Sequence, residues 1–109
     1  MKIHDLPDQI VVPVHPEKNT FFLFPHTKAY LGRGFFIWTS WDEATKWQEW
    51  FDNKAIPLQD ILSGVIINKV SFVEKTRQDF QKDMENFSKY VTCFTIIANP
   101  NSEGNTVDL

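Results

Sequence analysis

The stretch GFFIWTSWDEATKWQEWF, from Gly34 to Phe51, decides the fold of this chain. Its first part is an apolar run of strand length. Its second part opens with Ser40 and, three residues later, Glu43, which is the spacing of a capping box that satisfies backbone donors at the start of a helix. The stretch therefore predicts a strand that runs almost directly into a helix, placed near Trp41–Asp52.

The predicted helix carries three of the chain's four tryptophans, and the fourth, Trp38, lies on the preceding strand. At about 3.6 residues per turn, Trp47 falls on the apolar face of the helix, whereas Trp41 and Trp50 fall on its two flanks. We expect Trp38 and Trp47 to be internal and the flanking pair to be partly exposed. The opposite face of the helix is polar and consists of Asp42, Thr45, Lys46, Glu49 and Asp52.

Apolar and β-branched runs predict further strands on both sides of this stretch. The run Gln9–Val14 contains Pro13, which cannot donate to a ladder, so we expect an edge strand or a strand that bends at residue 13. We expect it to pair antiparallel with the next run. Ser71 and Glu74 repeat the capping-box spacing and predict a second, longer helix that ends at about Tyr90. The other predicted strands are Thr20–Phe24, Phe35–Thr39, Val65–Val70 and Val91–Ala98.

These elements predict an α+β domain with the order β-β-β-α-β-α-β. We expect a two-layer sandwich in which two principal helices cover one face of a mainly antiparallel sheet of about five strands. The length of 109 residues suits a single domain. The polar segments at residues 1–8 and 100–109 are expected to be loose.

Composition narrows the classes of function. The formal net charge is -3 and no long basic stripe is present, so nucleic acid is not an expected partner. No apolar run approaches the roughly 20 residues of a membrane span, and no basic-then-apolar segment opens the chain, so we expect no membrane attachment. Cys93 is the single cysteine and cannot form a disulfide within the chain, which favours a reducing, cytoplasmic location.

The residue types that carry chemistry are present without the spacing that chemistry requires. His4, His15 and His26 lack the close pairs typical of zinc sites, so we expect no metal, and we expect no other cofactor. Cys93 lies within an apolar run, where a thiol behaves as a small hydrophobe. No catalytic constellation is visible, and the sequence predicts a protein that is not an enzyme. Arg33, between two glycines, is predicted to lie at a hairpin turn where its fork of donors could hold an anion or a partner's carboxylate.

Three consecutive parts of the chain resemble a known pattern: the segment FIWTSWDEA from Phe36 to Ala44, the helix that follows it, and the segment IPLQDIL from Ile56 to Leu62. They resemble the strand, Thr-Ser, Glu-Ala, helix and Leu-x-Asp-Leu run of SseB-type small bacterial domains. The likeness covers about residues 34–62, and the later asparagine-proline of that family is similar to the pair that begins at Asn99. The resemblance implies a small α+β module without an established catalytic centre, and it adds no site residues.

Aromatic side chains beyond the needs of a core are typical of protein interfaces, because they bury much area with few rotatable bonds. The sequence therefore favours a non-enzymatic protein-binding module, such as an immunity, inhibitor or adaptor protein of a bacterial or phage system. It would act through aromatic and acidic surface contacts, and its acidic balance favours a basic partner. The edge strand Gln9–Val14 offers a second possibility, pairing with its own copy in a homodimer. The predicted partner-binding residues are Trp41, Trp50, Tyr30 and Arg33.

A second hypothesis is a small-ligand-binding protein or enzyme with a pocket between the sheet and the first helix. Its polar groups would be Arg33, His26 and Tyr30. A deep apolar cavity that converges on these residues would favour this hypothesis, whereas an exposed aromatic patch would favour protein binding.

Overall fold

The computed structural model describes residues 1–17, 24–25, 33–53, 58–59, 66–67, 70–90, 94–99 and 106–108. Within these residues two α-helices combine with several strands, and the predicted α+β class is confirmed. The first helix has the predicted bounds, and the Ser40 hydroxyl accepts a hydrogen bond from the Glu43 N–H at 3.3 Å. In chain order the elements are a short 3-10 helix Ile3–Asp5, β1 Gln9–Val14, β2 Phe24–Pro25, β3 Arg33–Ile37, α1 Trp41–Asp52, β4 Leu58–Gln59, β5 Ile66–Ile67, β6 Ser71–Thr76, α2 Arg77–Phe87, β7 Thr95–Ala98 and β8 Thr106–Val107.

The central strands form one continuous surface. β1 pairs antiparallel with β6, and β3 lies between β2 and β7 in a second ladder that continues to β8. Val11 and Trp38 join the two ladders, because each N–H donates to the other's carbonyl at 2.8 Å. Every described pairing between named strands is antiparallel except that of β3 with β7, so the prediction of a mainly antiparallel arrangement is confirmed.

Alternate residues of the central strands face two different helices. On β3, Phe35 and Ile37 pack with the buried Phe80 of α2, whereas Phe36 and the following Trp38 pack with α1. The helices therefore lie on opposite faces of the sheet, which corrects the prediction that both cover one face. The reason is visible in β3 itself, because a strand with large apolar side chains at consecutive positions must be covered on both sides.

The predicted edge position of the first strand is wrong. β1 pairs along its whole length with β6 and at Val11 with Trp38, and five of its six side chains are buried. Val11 directs its N–H and carbonyl toward Trp38, and Pro13, two residues on, faces the same side because backbone groups alternate along a strand. The missing N–H of Pro13 therefore removes no hydrogen bond from the β1–β6 ladder. The homodimer through Gln9–Val14 stays a prediction. Phe24, the one described residue of the second predicted strand, pairs with Gly34 of β3 instead of with β1.

The second helix begins later than predicted. Ser71 and Glu74 lie in strand β6, and α2 starts at Arg77. Thr76 is the residue that caps the helix, since its hydroxyl accepts a hydrogen bond from the Asp79 N–H at 3.1 Å. Pairing with β1 outweighs the local capping signal at Ser71. In the ladder, the N–H and carbonyl groups of alternate β6 residues form hydrogen bonds with β1, and these long-range bonds stabilise the strand.

The segment at residues 1–8 is packed against the rest of the domain, although its polar composition predicts a loose end. Ile3 and Leu6 are buried in the same core cluster as α2. The Arg77 guanidinium donates to the carbonyls of His4 and Leu6, both at 2.8 Å, and holds this segment in place. The Ile3 N–H also donates to the Asp108 carbonyl at 2.9 Å, which ties the described residues near both ends together.

Candidate functional site

Trp41 differs from the other described tryptophans in its surroundings. Trp38 is fully buried, and Trp47 is half-buried with its ring centroid 6.1 Å from that of Trp38. Trp41, in contrast, is 45% exposed and makes no ring contact with another aromatic residue in the part of the chain that the structure describes. The predicted internal position of Trp38 and the predicted exposure of Trp41 are confirmed, whereas Trp47, predicted to be internal, is half-buried against the core.

The indole of Trp41 is fixed by a residue from a distant strand. Its Nε1–H donates to the Glu74 carboxylate Oε2 at 3.0 Å. The register explains why the two residues meet: Val11 stands opposite Glu74 on one side and opposite Trp38 on the other. Residues directly opposite each other in a sheet point to the same face, so Glu74 points to the face that α1 covers.

The same alternation assigns the next residue of β6 to the other helix. Val73 packs in the α2 cluster, and the Lys75 ammonium pairs with the Asp83 carboxylate of α2. On β6, the side chain of Glu74 therefore points toward α1 and that of Lys75 toward α2. The agreement of both contacts with a period of two supports the position of Glu74 beside Trp41.

The outward side of α1 is acidic. The predicted polar residues of the helix are all exposed, and we call these residues, together with Trp41 and Glu74, the α1 face. The helix contains four acidic residues and one lysine, a net charge of -3 that equals the charge of the whole chain, so the charges outside it cancel. The members of the α1 face are Trp41, Asp42, Thr45, Lys46, Glu49, Asp52 and Glu74.

The other predicted partner-binding residues are described in part or not at all. Trp50 lies in the last turn of α1, but the structure does not describe its side chain. Tyr30 lies outside the described residues. Arg33 is the first residue of β3 and pairs with Pro25. Its backbone therefore lies in the sheet, which corrects the prediction that Arg33 lies at a hairpin turn. Its side chain is also outside the described part. Among these four residues, the structure describes the side chain of Trp41 alone.

The described space between α1 and the sheet is filled by aromatic rings. The Trp38 ring lies 4.9 Å from that of Phe72, and the Phe36 ring lies 5.9 Å from that of Trp47, measured between centroids, with Ala44 fully buried beside them. At this interface the described rings therefore pack directly against one another. A cavity of about 310 Å³ lies elsewhere, at the start of α2, and is lined by Asp8, Gln9, Thr76, Arg77 and Gln78.

One polar cluster lies where the parallel strands β3 and β7 end. Asn99 has a positive φ of 50°, and its side-chain oxygen accepts hydrogen bonds from the Thr39 N–H at 3.1 Å and the Thr39 hydroxyl at 3.3 Å. The Asn99 N–H donates to the Ile37 carbonyl at 2.8 Å. These bonds use the polar groups of Asn99 to fix the turn that leads into α1. Asparagine tolerates the left-handed region better than most residues, which explains its place here.

The described residues contain no group of three or more metal-ligating side chains. Neither described helix is long and apolar enough to cross a membrane. Comparison with known proteins gives no match to a protein family, to a curated protein or to a solved structure.

Glu74 is the residue that sequence reasoning missed. The spacing of Ser71 and Glu74 predicts a helical capping box, whereas Glu74 lies on a strand and contacts Trp41. The signal that could have placed it is the aromatic and β-branched content of the stretch, in Phe72, Val73 and Thr76, which favours a strand. Its partner could not be deduced, because the register of β6 on β1 is a long-range property.

Proposed function

We propose that this chain is a non-enzymatic protein-binding module that recognises a basic surface of another protein through the α1 face. It would act as an immunity, inhibitor or adaptor protein does, by occupying its partner rather than by chemistry. The observation that carries this proposal is an exposed tryptophan held in place by a hydrogen bond to a carboxylate, on the helix that carries the acidic excess of the chain.

The ordering of Trp41 favours binding energetically. Side-chain immobilisation on association costs about 0.5–1.5 kcal/mol for a residue with many rotamers. The hydrogen bond from Nε1 to Glu74 restricts the indole before a partner arrives, so part of this cost is met in the unbound state. A pre-oriented tryptophan is the kind of residue that dominates binding energy in protein interfaces.

The charge of α1 favours a basic partner. Four carboxylates on a helix of twelve residues create a local negative potential that attracts cationic surfaces and speeds their encounter with this side of the molecule. The same potential repels nucleic acid and acidic proteins. Charge therefore supplies selectivity and association rate, while Trp41 supplies the apolar contact.

The alternative of a ligand pocket under α1 has less support. Its predicted polar groups His26 and Tyr30, and the side chain of Arg33, are outside the described residues. The rings of Phe36, Trp38, Trp47 and Phe72 fill the described interface.

The proposal is tested by comparing capture from the native cell with four baits: the wild type, Trp41→Ala, the pair Asp42→Asn with Glu49→Gln, and Tyr90→Ala. Tyr90 is the matched control, because it is 82% exposed and lies just beyond α2. We expect a protein that is retained by the wild type and Tyr90→Ala and lost with the other two. The purified partner should then bind the wild type in calorimetry with an affinity that falls as salt rises. Identical recovery with all four baits would exclude the α1 face as the binding surface.

A further inference from the structure

We propose that the contact at the centre of the α1 face is with an arginine side chain of the partner. The guanidinium stacks on the indole of Trp41 and donates hydrogen bonds to the carboxylate of Glu74. This inference rests on the proposed function and names the chemistry by which the same surface recognises its partner.

The ring of Trp41 is suited to a cation. Tryptophan gives the strongest cation–π attraction among the aromatic side chains, and the attraction requires an accessible ring face. Trp41 is 45% exposed, and no described aromatic residue stacks on it. The hydrogen bond of its Nε1–H to Glu74 holds the edge of the ring, which leaves the ring face for another group.

Glu74 places a carboxylate at the rim of that ring. One oxygen, Oε2, accepts the indole N–H, and among the described residues the second oxygen has no donor. A flat guanidinium over the indole can therefore aim an N–H at Glu74 while its plane remains on the ring. Arginine combines these two modes, because its planar fork stacks on aromatic faces and also matches carboxylates.

Lysine fits this arrangement less well. Its ammonium is compact and strongly hydrated, so it gains from the negative potential of α1 but not from stacking. The neighbouring carboxylates Asp42 and Glu49 attract both residue types, whereas the Trp41–Glu74 pair distinguishes between them. The lysine of the helix, Lys46, lies 3.9 Å from Glu43 and is partly neutralised by that carboxylate.

The test is a titration followed by nuclear magnetic resonance of the indole N–H groups. The four tryptophans give four indole signals, and the signal of Trp41 is the one that disappears in Trp41→Phe. A capped tetra-arginine peptide is added to the ¹⁵N-labelled full chain, and a tetra-lysine peptide of the same charge is the control ligand. We expect the arginine peptide to shift the Trp41 signal and to leave that of the buried Trp38 in place. The lysine peptide should bind roughly threefold to tenfold more weakly.

Two variants separate the contact with the Glu74 carboxylate from the general negative charge of α1. Glu74→Gln removes the carboxylate, and we expect it to weaken the arginine peptide roughly fivefold and to reduce the preference for arginine over lysine. Glu49→Gln removes one charge of the same helix and should weaken both peptides equally. Spectra of both variants that otherwise match the wild type show that the fold is retained.

Three results would overturn the inference: no shift of the Trp41 signal, equal binding of both peptides, or equal shifts of all four indole signals. Any of them would leave the proposed function intact if the captured protein is still lost with Trp41→Ala. Selective arginine binding without a captured protein that depends on Trp41 would instead support arginine recognition and contradict the proposed function.

Discussion

The two helices of this domain are nearly equal in length and lie on the same sheet, but they use their large side chains differently. α2 buries Phe80 and Met84 completely, and Phe87 packs edge-on against Phe35 with a centroid separation of 4.8 Å. Of the α1 side chains that the structure describes, only Ala44 is fully buried. α2 thus contributes mainly to stability, whereas α1 keeps an ordered aromatic residue at the surface.

The charges of the helices differ in the same sense. α2 mixes both signs on its outer side, and its Lys75–Asp83 contact with β6 is part-buried. α1 concentrates acidic residues around Trp41, and its contact with β6 is the exposed Trp41–Glu74 bond. Similar amphipathic patterns therefore fill the core on one face of the sheet and leave a hydrogen-bonded tryptophan exposed on the other.

The largest expected effect concerns the α2 side. Phe80→Ala should lower the free energy of unfolding by about 3–5 kcal/mol, because it removes a fully buried ring and leaves a cavity. Chemical denaturation followed by circular dichroism measures this change. Tyr90→Ala, at an exposed position near the end of the same helix, should change stability by less than about 0.5 kcal/mol. Comparable losses in both variants would mean that α2 is not the structural helix.

A smaller effect is expected at the link between α2 and residues 1–8. Arg77→Ala removes two hydrogen bonds to the carbonyls of His4 and Leu6, and the free energy of unfolding should fall by about 2 kcal/mol. Amide exchange at Ile3 and Leu6 should accelerate more than exchange in β1. Lys82→Ala, an exposed change on the same helix, is the control. Unchanged exchange at Ile3 would show that Arg77 does not hold this segment.

The start of α2 gives a sharper test of the sequence signal. Thr76→Ala should cost about 1 kcal/mol, since it removes the hydroxyl that accepts the Asp79 N–H. Ser71→Ala, at the capping-box serine that the sequence favours, should cost less than about 0.5 kcal/mol because that residue lies in β6. The reverse order of these two losses would place the start of the helix at Ser71.

The smallest expected effect on stability lies at the functional candidate. Trp41→Ala should change the free energy of unfolding by less than about 0.5 kcal/mol, because its side chain is exposed and its hydrogen bond is at the surface. The same variant should lose its partner. A loss of stability above about 2 kcal/mol would mean that Trp41 serves the core, as Phe80 does, and the contrast between the helices would disappear.

Local signals predicted the parts of the fold that depend on neighbouring residues. Ser40 and Glu43 gave the start of α1, and the helical period gave its exposed residues. Local signals failed where distant residues decide. Ser71 carries a helix signal, but pairing with β1 makes it a strand residue, and the burial of both faces of β3 moved α2 to the side opposite α1.

The candidate site was predictable to the same extent. The helical period placed Trp41 on the flank of α1, and its exposure follows from that position. Its contact with Glu74 depends on three chain segments brought together by the Val11 pairings, and no pattern within one segment contains that information. The partner-binding roles of Trp41, Trp50, Tyr30 and Arg33 all stay predictions.

The pairings of β1 have a consequence for how the protein acquires its shape during synthesis. The backbone partners in these pairs are far apart in sequence: Val11 pairs with Trp38, Val12 with Val73, and Ile3 with Asp108. Such high contact order slows folding, because the entropy of closing long loops is lost before the strand pairings contribute favourable free energy. We therefore expect Ile10, Val11 and Val12 to remain exposed on the ribosome until most of the chain has emerged. During that period a chaperone would shield them from aggregation.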